Sequence, residues 1–145
     1  MTGITDPTEE YFKDGLWGWD GTQWRKAGML WGYSDRYVER AKNESVAAGD
    51  NYLAGSTVPA GEVWVVQGVL VMNVNTATQC NINLLAGGTG YALTERVTLT
   101  PSLWYRFAIN PVIMKAGDYL CAHFINCQAG DALFMDINGY KMKVT

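Results

Sequence analysis

A chain of 145 residues, 48% hydrophobic and 17% charged, has the composition of one folded domain with a well-filled core. A net charge of −3 with scattered basic residues leaves no electrostatic footprint for nucleic acid, so no DNA or RNA partner is expected. Gln67 and Asn73 interrupt the longest apolar run well short of the ~20 residues of a membrane-spanning helix, so no membrane partner is expected either.

In chain order, residues 1–14 are acidic and polar, with neither the basic region nor the apolar stretch of a secretory leader. Three cysteines, Cys80, Cys121 and Cys127, form an odd set, which points to thiols kept reduced in a cytoplasm and not to a disulfide framework. Pro7 and the absence of periodicity predict an extended arm, either a frayed terminus or a docking strap.

Residues 16–27, LWGWDGTQWRKA, carry the Asp20–Gly21 pair, a strong signal for a tight β-hairpin. Trp17, Trp19 and Trp24 flank it, and Trp31 and Tyr33 continue the aromatic run. A lone hairpin is marginal in water and must pack on something. The rings therefore form a small second core, a contact surface for a partner, or a platform for sugars. Residues 33–42, YSDRYVERAK, have Tyr37, Val38 and Ala41 at helical spacing behind a Ser34 cap, which predicts a short helical turn, with an extended connector as the alternative.

From Asn43 the chain becomes a train of strands. The sequence predicts strands at residues 51–57, 62–74, 79–85, 91–99, 104–109, 119–126 and 132–144, with turn signals every ~8–12 residues, the pattern of a sandwich or barrel. The triplet Ala-Gly-Asp/Glu recurs at Gly49, Gly61, Gly117 and Gly130, each time before an apolar run, which predicts four glycines at positive φ. The run 58–74, VPAGEVWVVQGVLVMNV, is apolar on both faces and about twice a usual strand length. Its Gln67–Gly68 pair predicts a bulge or bend where a strand passes from one sheet to the other. The expected fold is all-β, a single jelly-roll-like β-sandwich over residues 43–145, with an N-terminal unit, residues 1–42, made of the arm and the Trp-rich hairpin.

Few residues suggest chemistry. His123 is the lone histidine and shares a strand face with Cys121; with Cys80 they would make a three-Cys, one-His metal set, but no paired cysteine spacing supports one. No residue orients a Cys–His nucleophile. Asp118 and Asp131 sit in turn motifs, and Asp136 completes the candidate carboxylates. Gly87-Gly88-Thr89-Gly90 lies between strands without a lysine or a following helix, so it reads as a hairpin loop and not a phosphate cradle. Arg36 and Arg40 stand near Asp35, Glu39 and Glu44 as an ion-pair set. No catalytic residue, metal site or cofactor is assigned, and no enzyme activity is expected.

Two segments resemble structural proteins of tailed bacteriophages. DGLWGWDGTQWRKAGMLWGYSDR, residues 14–36, is similar to a Trp-rich hairpin found in such proteins. VPAGEVWVVQGV (58–69) with KAGDYLCAHFINCQAGDALFMDINGYKM (115–142) resembles the β-sandwich of small head-decoration or tail-associated virion proteins. The resemblance implies a jelly-roll-like module that oligomerises on a virion, often as a trimer, after synthesis in a host bacterial cytoplasm. It implies the major capsid protein or a neighbouring virion protein as partner, met through Trp17, Trp19, Trp24, Trp31, Tyr33 and Arg36. A tail or fibre component, or a receptor- or carbohydrate-binding module using the N-terminal tryptophans, is the alternative.

Overall fold

The computed structural model describes residues 17–19, 24–26 and 33–143, with side chains from Asp35 to Lys143. The expected arm at residues 1–14 and Trp31 lie outside the described residues. The first two strands, β1 (Trp17–Trp19) and β2 (Trp24–Lys26), pair antiparallel with Trp19 opposite Trp24. The hairpin is therefore present, but this register leaves residues 20–23 between its strands, two more than a turn centred on Asp20–Gly21 needs.

Ten further strands follow: β3 (Tyr33–Asn43), β4 (Gly49–Ala54), β5 (Glu62–Asn73), β6 (Gln79–Ala86), β7 (Thr89–Ala92), β8 (Val97–Thr98), β9 (Tyr105–Phe107), β10 (Val112–Lys115), β11 (Tyr119–Cys127) and β12 (Leu133–Lys143). The described residues hold no helix. A first sheet has the order β10-β5-β12-β3, with β9 also on β5; a second has the order β4-β11-β6-β7, with β8 also on β6. The pairs β3/β12, β4/β11, β5/β10 and β6/β7 are all antiparallel and nest outermost with outermost. The chain is in effect one long hairpin rolled over on itself, so successive pairs fall alternately in the two sheets. That wrapping is a jelly roll, the expected fold.

Residues 33–43 depart from the expected helical turn. They form an eleven-residue strand along β12, with Tyr37 opposite Gly139 and Ala41 opposite Met135. Tyr37 is 2% exposed, its ring 4.6 Å from that of Trp64. Between these inward residues lies Glu39, which accepts the Tyr37 hydroxyl at 2.7 Å and the Ser56 N–H at 2.8 Å. Residues 33–42, expected with the N-terminal unit, thus pack as part of the sandwich.

Strand β5 carries the expected bulge but does not change sheets. Asn138 of β12 faces Gly68 and the next residue, Gly139, faces Val66, so Gln67 is the extra residue. Trp64 and Val66 point inward before the bulge; Val69, Val71 and Asn73 do so after it. The bulge switches which parity faces the core. That is why both faces look apolar in the sequence.

Two smaller departures follow from local pairing. The strand expected over residues 91–99 is interrupted between β7 and β8, where Thr94 Oγ1 accepts the Ile82 N–H at 3.0 Å in place of a backbone carbonyl. Residues 112–115, expected as part of a turn, form β10 because Met114 lies beside Trp64 in the core. The four repeated turn glycines all have positive φ, from 79° to 103°, as expected. Gly87 and Gly88, at φ 58° and 80°, join β6 to β7 in the expected hairpin loop. The core lies between the sheets, with Tyr37, Val69, Met135 and Ile137 from the first against Ile82, Leu120 and Phe124 from the second.

Candidate functional site

The first sheet buries one face and turns the other outward, and the strand register dictates what stands there. Phe134 pairs with Met72 on one side and Lys42 on the other; Asp136 pairs with Leu70 and Arg40. Trp104, just before β9, lies against Phe134 with ring centroids 6.3 Å apart in an edge-to-face arrangement. The Arg40 guanidinium sits 5.4 Å from the Trp104 ring centre and 6.0 Å from that of Phe134, within cation–π range.

Asp136 holds that guanidinium in place. Arg40 Nε donates to Oδ1 at 2.7 Å and Nη2 to Oδ2 at 2.6 Å, a two-pronged pair that leaves the plane of the fork little freedom. The carboxylate raises the Arg40 pKa further above its ordinary value. A surface pair of this kind adds little stability; its consequence is geometric, a flat cation fixed over two aromatic rings.

Beside this cluster a hollow of about 500 Å³ is lined by Val38, Leu70 and Asn138, with Val38 67% exposed. Toward the other end of the face Val65, Pro111, Ile113, Tyr140 and Met142 line an apolar hollow of about 340 Å³, and Ile113 is 69% exposed. Arg36, Arg40, Lys42, Arg106 and Lys115 stand at outward positions of these strands; against them, Asp136 pairs with Arg40, Glu44 pairs with Lys42 at 3.1 Å, and Glu39 also lines the first hollow. The face is therefore aromatic, partly apolar and basic, although the whole chain is acidic.

Of the residues expected to bind a partner, Trp17, Trp19 and Trp24 fall in the β1–β2 hairpin, and Tyr33 begins β3 opposite Met142. Arg36 is exposed on β3 opposite Tyr140, at the edge of the basic face. The arginine–carboxylate set expected from sequence neighbours is built differently: Arg40 reaches across to Asp136 on β12, and Glu39 turns inward. Trp104, Phe134 and Arg40 were not recognisable as a group, because they come from three elements that only the register brings together.

The other candidate groups are dispersed. Cys80 faces the core while Cys121 and His123 stand on the outer face of the second sheet. Burial pushes all three thiols up from their ordinary pKa. Asp118 accepts the Lys115 N–H in its turn, Asp131 closes another turn, and Asp136 pairs with Arg40.

No family model matches the chain, and no curated protein matches it. Among solved structures, a chain of infectious bursal disease virus, Gt strain, is similar at 13% identity with a TM-score of 0.35, covering 77% of this chain and 31% of that one. A chain of the Gx strain is similar at 10% identity and a TM-score of 0.33, covering 86% of this chain and 43% of that one. The present chain spans less than half the length of those viral chains. At that level the likeness carries no argument about function, and the fold rests on the strand pairing itself.

Proposed function

We propose that this protein is a non-enzymatic structural component of a tailed-bacteriophage virion, a capsid decoration protein that binds the assembled shell and stabilises it as a homo-oligomer, with a trimer favoured. The observation that carries the reading is the Trp104–Phe134–Arg40 cluster on the open face of the first sheet. Tryptophan and arginine dominate protein-interface hot spots, and here they are already ordered, so docking loses little side-chain entropy. The surrounding cations fit an acidic patch on the shell protein, and the tryptophan hairpin adds a second contact.

Quantitative mass spectrometry of purified virions and a binding titration on isolated shells test this together. A decoration protein is present at high copy number; a few copies per particle would instead make it a tail or fibre component. Arg40→Glu and Trp104→Ala alter exposed side chains and should leave the melting temperature within about 3 °C of the parent. Each should weaken shell binding by ~2–4 kcal/mol, roughly 30- to 900-fold. Trp19→Ala should lower affinity in the same way through the hairpin. Unchanged affinity in the Arg40 and Trp104 variants would remove this face from the interface.

A further inference from the structure

The outer face of the second sheet has a different chemistry. Here Tyr52 of β4, His123 of β11 and Asn81 of β6 lie side by side, one register step from Ala54, Cys121 and Asn83. Tyr52, Asn83, Leu85, Tyr119, Cys121 and His123 surround a hollow of about 420 Å³, with the small Ala54 and Gly90 also in its lining. That volume falls within the ~300–1,000 Å³ of small-molecule sites. No aspartate, glutamate, lysine or arginine lines it, in contrast to the basic face across the sandwich.

The aromatic wall is held by a chain of contacts. Asn126 at φ 59° sits in the irregular stretch of β11 between Phe124 and Cys127, and its N–H donates to Asp50 Oδ1 at 3.2 Å. The other Asp50 oxygen lies 3.2 Å from His123 Nε2. The Asn126 N–H first, and His123 second, hold Asp50 below its ordinary pKa. The fixed imidazole then stacks on Tyr52, with centroids 4.4 Å apart and planes 10° from parallel. Tyr52 is 62% exposed, so one face of its ring is backed by His123 and much of the rest is open.

The polar wall is equally specific. Asn81 Nδ2 donates to Asn83 Oδ1 at 3.0 Å, which turns the Asn83 Nδ2 away from Asn81 and leaves it to donate. Asn81 itself is 7% exposed and lies outside the lining of the hollow, so its part is to orient Asn83.

We propose that this hollow binds a neutral saccharide. The exposed part of the Tyr52 ring that borders the hollow would take the C–H face of a pyranose, and the Asn83 side-chain amide would donate to its hydroxyls. The lining offers no lysine, arginine, aspartate or glutamate as a counter-charge for a phosphate, carboxylate or ammonium ligand, and His123 already has Asp50 as its partner. The ring is backed and the Asn83 amide is oriented before the ligand arrives, which lowers the ordering cost of binding. The site is on the face opposite the proposed docking cluster and stands independently of it.

The test is a titration of the full chain with neutral oligosaccharides built from glucose, galactose, mannose and N-acetylglucosamine, followed by amide NMR. Saturable shifts are expected at Tyr52, His123 and the side-chain amide of Asn83. Tyr52→Ala should weaken the best binder about tenfold or more. Ala54→Trp, which fills the hollow from the exposed edge strand, should abolish binding. Both variants should keep the parent melting temperature, and Trp19→Ala should bind as the parent does. The proposal is overturned if no sugar in the panel gives saturable shifts, if the shifts map to residues 17–26, or if folded Tyr52→Ala and Ala54→Trp bind unchanged.

Discussion

Replacing Gly139 with alanine is expected to be the most damaging single-atom change in this protein. A Cβ at that position would overlap the Val65 carbonyl oxygen and stand 2.9 Å from its carbon and 3.0 Å from the Val66 Cα. All three are backbone atoms of β5, so no side chain can swing aside. Relief needs the β5 and β12 backbones to part by over an ångström beside the Gln67 bulge, where the register already shifts. These are the two central strands of the first sheet, and the separation would spread into the core around Trp64 and Val66. The expected cost is about 4 kcal/mol or more, a large share of the 5–15 kcal/mol that holds a domain of this size. Thermal melting should fall by roughly 10 °C or more. Gly90→Ala is the matched control: an added Cβ there meets nothing within 4 Å, and melting should hardly change. If the two variants melt alike, the close approach at Gly139 is not a constraint.

The second large effect is expected at Asp131, which closes the turn between β11 and β12. Its side chain accepts Thr76 Oγ1–H at 2.6 Å, Asn73 Nδ2–H at 2.9 Å and the Gln128 N–H at 2.9 Å, and the residue is 2% exposed. Asp131→Ala removes the acceptor and leaves the Thr76 hydroxyl and the Gln128 N–H with no replacement, while Asn73 Nδ2 keeps only its 3.3 Å bond to Thr76 Oγ1, at about 3–4 kcal/mol. Asp131→Asn keeps one acceptor and should cost roughly half of that. The pH dependence follows from the same contacts. Burial alone pushes the carboxyl pKa up, but the hydrogen bonds from Thr76, Asn73 and Gln128 together outweigh it and hold the carboxyl below its ordinary value. Folding therefore favours the ionised form. Its contribution is fully present above the ordinary carboxylate pKa and is lost as the pH falls through the lowered one. Urea melts of the parent between about pH 5 and pH 2 should show a fall in stability that is shallower in Asp131→Ala. Parallel curves would mean that other carboxylates account for the acid sensitivity.

Some of this architecture is legible because the relevant physics is local. Gly49, Gly61, Gly117 and Gly130 mark turns since only the backbone at that residue decides whether a positive φ is accessible. Trp19 faces Trp24 because the chain between them is short. β11 reads as a strand from its own β-compatible run, LCAHFIN, whichever neighbours it finds. β3 is a different case. Tyr37 and Ala41 are four apart, a spacing that serves one helix face and one strand face alike, and the residue between them that would settle the period is Glu39. A charged residue at an inward position hides the alternation, and it is tolerated there because Ser56, from another part of the chain, and the Tyr37 hydroxyl supply its donors.

By itself the sequence determined the all-β class, the positions of the glycine turns, most strands and the presence of a bulge at Gln67–Gly68. Each depends on residues within a few positions of one another. The tertiary structure alone decided that β5 stays in one sheet, that residues 33–43 complete that sheet, and which outward side chains meet. Arg40, Trp104 and Phe134 gather on one face, and Tyr52, Asn83 and His123 on the other, only through the pairing register of strands distant in the chain. Register is set by the nested antiparallel pairs and by which parity each strand buries, and a shift of one residue would turn every one of these side chains to the opposite face.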